Sequence, residues 1–277
     1  MIIPTITGSR NLGHLLLCII IMLAVTPLAK AGVVDTKHNL SSTGTGPNSI
    51  DSTGSVCVFC HTPHGADTSA SVPLWNRVLS APGTFTTYDS LGTTSLDGSV
   101  AAVGSVSIAC LSCHDGTQAM NVMINAPGSD GFNAAGAAFT GTWTGPAATA
   151  TPAGSLNYST PSIVNIGTDL TNDHPIGIQY GGGGLTSGAP TGTTNDLDFV
   201  APNYAIIGGQ TAWWLDTAGG TTSREKTDLQ LYTRNDLGSN EPFVECASCH
   251  NPHTSDNPTF LRISNTGSAV CLACHIK

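Results

Sequence analysis

Charge and aromatic rings are scarce in this chain of 277 residues, of which 10% are charged and 6% aromatic. Nine Lys and Arg stand against eighteen Asp and Glu without forming a basic cluster, which excludes the phosphate-neutralising surface that a nucleic-acid partner needs. Long apolar runs are scarce too. One stands at the amino terminus, where Arg10, an apolar run from Leu12 to Val25 and a small-residue exit at Ala29-Lys30-Ala31 read as a secretory signal peptide over 1–31. No other stretch approaches bilayer length, so the exported chain 32–277 is expected to lack a membrane span. Without its leader that chain keeps seven basic and eighteen acidic residues, a formal charge of −11. Gly, Ala, Ser, Thr and Pro dominate what remains, predicting abundant turns, sparse regular structure and a thin apolar core for the size. Something besides side chains is expected to fill the interior.

Unpaired cysteine is also missing. Of nine cysteines, Cys18 lies in the leader, in mid-run before Ile19-Ile20-Ile21, where it makes no lipid-anchor site. The other eight fall into four units of one form: Cys57-Val58-Phe59-Cys60-His61, Cys110-Leu111-Ser112-Cys113-His114, Cys246-Ala247-Ser248-Cys249-His250 and Cys271-Leu272-Ala273-Cys274-His275. Two thiols three positions apart on one turn can each add across a vinyl group of one porphyrin edge, and the next residue then aims its imidazole at the iron. A redox dithiol or a zinc site also uses Cys-x-x-Cys. Four repeats, each closed by His, with no other cysteine after the leader, point instead to four covalently attached c-type haems.

Histidine arithmetic sets the chemistry at each iron. His14 leaves with the leader, and His61, His114, His250 and His275 are the proximal ligands. His38, His64, His174 and His253 remain, one for each iron that needs a second axial ligand. His64 follows His61 in Cys-His-Thr-Pro-His, and His253 follows His250 in Cys-His-Asn-Pro-His. Residues three apart on a turn point the same way, so neither can reach the far face of its own haem, and each is expected to ligate a neighbour. The nearest candidates are the haem at Cys110 and Cys113 for His64, and the haem at Cys271 and Cys274 for His253. His38 and His174, ahead of the first and second pair, would cap the other two irons. Met120 and Met123 are the rival ligands, read here as flexible apolar packing.

The organisation expected is a first haem pair over 32–114, a loop-rich Gly/Thr segment over 115–245 and a second pair over 246–277. The middle segment contains Gly181-Gly182-Gly183-Gly184 and two β-branched runs, Ser162–Ile166 and Asn203–Ile207, that suggest a few short strands. His174, in Asn172-Asp173-His174-Pro175, sits where a proline-braced turn can deliver an imidazole inward. Trp213-Trp214 reads as core or haem packing. The fold class is a multihaem cytochrome c, mostly irregular coil with short helices at the haem motifs, a few short strands and a core formed by haems.

The order of Lys37-His38-Asn39-Leu40, Cys-x-x-Cys-His-Thr-Pro-His-Gly, Leu74-Trp75-Asn76-Arg77, Asn172-Asp173-His174-Pro175, and Cys-His-Asn-Pro-His with Phe260-Leu261-Arg262 before a terminal Cys-x-x-Cys-His resembles extracellular tetrahaem cytochromes that polymerise, the OmcE-like cytochrome nanowire family. The resemblance implies bis-histidine haems in one continuous stack, with a distal ligand exchanged between adjacent subunits. Such haems pass one electron and offer no open position to a substrate, so no enzyme activity is expected. The partners implied are further copies in a head-to-tail homopolymer, other multihaem cytochromes and extracellular electron acceptors. A soluble monomeric periplasmic carrier is the alternative. His38, on a Gly/Ser/Thr-rich arm, is the expected exchanged ligand. A multihaem reductase would want a haem without its sixth ligand, or a lysine in place of the motif histidine, and neither pattern occurs.

Overall fold

The computed structural model describes residues 32–128, 131–158, 163–219 and 223–276, so the leader with His14 and Cys18 lies outside the described residues. Helix is confined to the cysteine motifs and a few single turns. Helix α1 is Ser107–His114, α2 is Cys246–Cys249 and α3 is Ala269–Leu272, while a 3-10 turn covers Cys57–Phe59. Each overlaps one Cys-x-x-Cys-His unit. α1 is the longest because its sequence has no Gly or Pro and buries Ile108, Ala109 and Leu111. α2 opens on a reciprocal cap, in which the Glu245 side chain accepts from the first turn and the Ser248 hydroxyl accepts the Glu245 N–H at 3.0 Å.

The segment 115–245 holds more strand than its composition suggests. Two small antiparallel pairs join β1 (Ser49–Ile50) to β4 (Trp143–Thr144) and β2 (Val122–Asn125) to β3 (Phe132–Ala138). A five-stranded antiparallel sheet follows, built from β5 (Ile178–Gln179), β6 (Asn203–Ile207), β7 (Gln210–Leu215), β8 (Leu229–Arg234) and β9 (Glu241–Val244) in the order β5-β9-β8-β7-β6. Gly208 and Gly209, at φ 59° and 80°, make the two-residue turn between β6 and β7, a conformation that matches the twist of paired strands. Of the two expected strands, Asn203–Ile207 is β6. The other is not a strand: Ile163 is 88% exposed in a turn, and the Ile166 and Gly167 N–H groups both donate to the His114 carbonyl, at 2.8 and 3.1 Å. Its backbone serves as a strap under α1, which leaves no ladder to join; Ser162 lies outside the described residues.

The apolar core is also fuller than expected, because the few aromatics are concentrated inside. All four tryptophans are buried, Trp213 and Trp214 almost completely. Three side-chain clusters form, and each leans on motif cysteines. Phe59, Met120, Met123 and Trp143 pack against Cys60 and Cys113; Trp75, Ile108 and Leu111 pack against Cys60; Tyr180, Trp213 and Leu229 pack against Cys274. Met120 and Met123 are packing residues here, as their flexible side chains suit. Gly181 has φ 56°, and a Cβ there would lie 2.5 Å from the Thr194 side chain, so this close approach requires glycine.

Two buried polar anchors fix the motifs relative to one another. Arg77, fully buried, donates to the Met120, Val122, Ser112 and Ala119 carbonyls at 2.9–3.2 Å, tying the loop after the first motif to α1. Arg234 at the end of β8 pairs with Glu245 at 2.9 Å, Glu245 accepts from the Ser107 hydroxyl, and Ser107 in turn accepts the Cys246 N–H at 2.9 Å. The sheet thereby sets α2 against α1.

Candidate haem sites

None of the eight described cysteines is in a disulfide. Their neighbours run in chain order. Cys60 lies within electrostatic reach of Cys113, the Cys110 and Cys246 thiols hydrogen-bond to each other, and Cys249 is in reach of both Cys271 and Cys274. The four motifs therefore neighbour one another in chain order, first to fourth. Burial pushes the Cys60 thiol up to about 12, Cys249 to about 11 and Cys274 to about 12, the neighbouring sulfurs adding to the effect. Cys110 is raised chiefly by its hydrogen bond to Cys246, then by burial, while that same bond lowers Cys246.

Three motif histidines are held alike. Nδ1 of His61 meets the Pro73 carbonyl at 2.8 Å, Nδ1 of His114 the Val164 carbonyl at 2.7 Å, and Nδ1 of His250 the Thr259 carbonyl at 2.7 Å. A proton held at Nδ1 fixes the ring and leaves Nε2 as a free lone pair. The first and third motifs share a whole scaffold. The Thr62 N–H donates to Leu74 and the Asn251 N–H to Phe260, and these two acceptors are non-glycine residues at φ 57° and 63°. The next turn of the pattern repeats as well: Asn76 N–H reaches the Cys60 carbonyl and Arg262 N–H the Cys249 carbonyl. Side chains complete it, Asn76 Nδ2 donating to Val58 and Arg262 Nε to Ala247. Left-handed backbone at Leu74 and Phe260 is costly and turns the preceding carbonyl toward the motif ring. Sequence reasoning missed these anchors, although the parallel Leu74-Trp75-Asn76 and Phe260-Leu261-Arg262 segments were their signal.

The remaining histidines depart from chain-order expectation. His253 does not go forward to His275; its ring faces His61, with centroids 6.2 Å apart and planes 14° from parallel. His38 faces His114 at 6.1 Å and 80°, where His64 was expected. The arm bearing His38 folds back, its Nδ1 3.3 Å from the Pro252 carbonyl and its ring stacked on Phe260 at 4.4 Å. His174 lies in electrostatic reach of His275, where His253 was expected, and not of His250, the iron site that chain order had left for it. His64 is exposed, and only its backbone is engaged, the carbonyl accepting from Asn125 Nδ2 at 2.6 Å and the N–H donating to Thr62. The backbone bonds of 99–101 with 177–179 and the Arg234–Glu245–Ser107 chain bring the two halves together, which proximity along the chain does not register. Burial, then His114, holds the His38 pKa down to about 4. Burial likewise lowers His114, His174 and His253, which favours the neutral imidazole, the form that binds a metal.

Residues 241–277 match the family model described as a doubled CXXCH motif. That doubled motif indicates covalently attached c-type haem. No curated protein matches the chain.

The residues present fit that group. Two imidazoles bound to one metal at roughly 2 Å each stand with ring centroids roughly 6 Å apart, the spacing of the His61–His253 and His38–His114 pairs. Trp75 Nε1 is buried without a partner, with its ring edge-on to His61 at 6.0 Å, and Trp214 Nε1 is buried in the same unsatisfied state. The c-type group supplies one-electron redox chemistry when bound. The paired cysteines would hold it through thioethers, and the anchored His61, His114 and His250 would offer Nε2 to its iron. Among the described residues no helix is long and apolar enough to cross a membrane.

Proposed function

We propose that this chain is a tetrahaem electron carrier, exported and assembled head-to-tail into a conducting filament, with no enzymatic role. The four haems would be held by Cys57, Cys60, Cys110, Cys113, Cys246, Cys249, Cys271 and Cys274, with His61, His114, His250 and His275 proximal. His253, His38 and His174 would be the distal ligands to the first, second and fourth irons. The observation that carries the filament reading is one of complementary remainders. Among the described residues His64 stands exposed without a ring contact, while neither it nor any other spare histidine there faces His250. A free imidazole and an iron site lacking one, on the same chain, can satisfy each other only between copies. A contact between unlike surfaces that does not close propagates as a filament. His64, not His38, is thus the donor consistent with the fold. The linear order of motifs supports an electron path running the length of each subunit. Electron microscopy of the secreted fraction tests this: wild type should form ordered filaments, His64→Ala should retain its haems yet remain monomeric, and a monomeric wild type would favour the soluble periplasmic carrier.

A further inference from the structure

We infer that Phe260 is a positioning residue for the second haem, fixing the plane of His38 across that of His114 and making this haem electronically unlike the first. The inference rests on the bis-histidine ligation proposed above. His38 is clamped twice. Phe260 stacks on its ring at 4.4 Å with planes 19° apart, and the Pro252 carbonyl meets Nδ1 at 3.3 Å. The opposite ring is fixed independently by Val164, at 2.7 Å from His114 Nδ1. The backbone that carries Phe260 is itself fixed, because its carbonyl accepts the Asn251 N–H at 2.8 Å within the left-handed turn that also anchors His250. The outcome is an angle of 80° between His38 and His114, against 14° between His61 and His253.

The angle has an electronic consequence through π donation. Parallel imidazoles donate into the same iron dπ orbital and split it from its partner, whereas crossed imidazoles raise one orbital each and leave the two nearly degenerate. A ferric iron of the first kind gives an ordinary rhombic low-spin resonance; the second kind gives a single ramp-shaped feature at high g. Crossed planes also stabilise the ferric state less, so the second haem is the easier of the two to reduce. Ligand orientation by surrounding groups is an established way for a protein to tune haem.

Electron paramagnetic resonance of the oxidised, fully haem-loaded protein tests the inference. Wild type should show both signal types. Phe260→Ala, and the volume-conserving Phe260→Leu, should lose the ramp and gain rhombic signal at unchanged haem content, with one midpoint potential shifted downward; Phe260→Tyr should restore both. His38→Ala should remove the same ramp by opening that iron, which locates it on the second haem. A ramp unaffected in Phe260→Ala and Phe260→Leu, or a wild type with rhombic low-spin signal alone, would overturn the role of Phe260. High-spin signal at this haem in wild type would instead overturn the ligation on which it rests.

Discussion

The loops that follow the first and third motifs have the same local construction and opposite surroundings. Each uses a left-handed residue to aim a carbonyl at the motif histidine, and each returns a strand-like residue to the second cysteine. Beyond that the two diverge. His253 meets a ring of its own chain, and His64 meets none. The first motif's turn has no side-chain cap, whereas α2 is capped by the buried Glu245. A short motif therefore sets the proximal scaffold wherever it occurs, while the distal role of its last histidine depends on where the rest of the fold delivers it.

The largest expected effect separates the two distal histidines. His253→Ala should open the haem at Cys57 and Cys60, visible as high-spin resonance and carbon monoxide binding after reduction. His64→Ala, measured on dissociated subunits, should leave the spectrum unchanged. Equal spectral damage from both would erase the difference drawn here.

Next in size is a pH dependence confined to the second loop. Burial raises Glu245 to about 7, outweighing the Ser107 hydrogen bond and the Arg234 charge. A carboxyl whose folded pKa lies above its unfolded value contributes its full stability below the unfolded value, and that stability is lost as pH rises toward the folded one. The thermal midpoint should therefore fall between about pH 4.5 and 7, by an amount equivalent to about 3 kcal/mol. Glu245→Gln should flatten that slope, and a slope that persists in this variant would assign it elsewhere.

Smaller effects compare the two scaffold side chains. Asn76 is fully buried and also bonds Asn125 through both its amide nitrogen and oxygen, so Asn76→Ala should cost about 2–3 kcal/mol. Arg262 is only half-buried, and its equivalent contact to Ala247 should be worth about 1 kcal/mol in Arg262→Ala. Denaturant midpoints would reveal a reversed order. The smallest effect belongs to the Lys226–Asp256 pair, 3.8 Å apart with both side chains more than two-thirds exposed; Asp256→Asn should leave the midpoint where it is.

Covalent haem attachment at the third and fourth motifs was legible in the sequence, because Cys-x-x-Cys-His specifies a turn, two thiols and a ligand within five residues. Helical turns at all four motifs follow from the same spacing. The sheet was less legible. Leu229 and Leu231 of β8 alternate inward, yet the Gly- and Thr-rich flanks mask so short a pattern, and Ile163 to Ile166 mimic a strand while serving as a strap. Distal pairing was the least legible part. Same-side geometry directs His253 away from His250, but choosing its neighbour by chain order selects His275, while tertiary packing sets its ring against that of His61.

The contact between His38 and Pro252 joins residues 214 positions apart. It cannot form until nearly the whole polypeptide has been delivered, and the same holds for His253 against His61. Such distant contacts come late because closing a long loop must precede any gain from the contact. Haem attachment at the amino-terminal motifs would thus have a built-in order: their cysteines would wait on an open chain until the carboxyl-terminal loop arrives to shut the first two sites together.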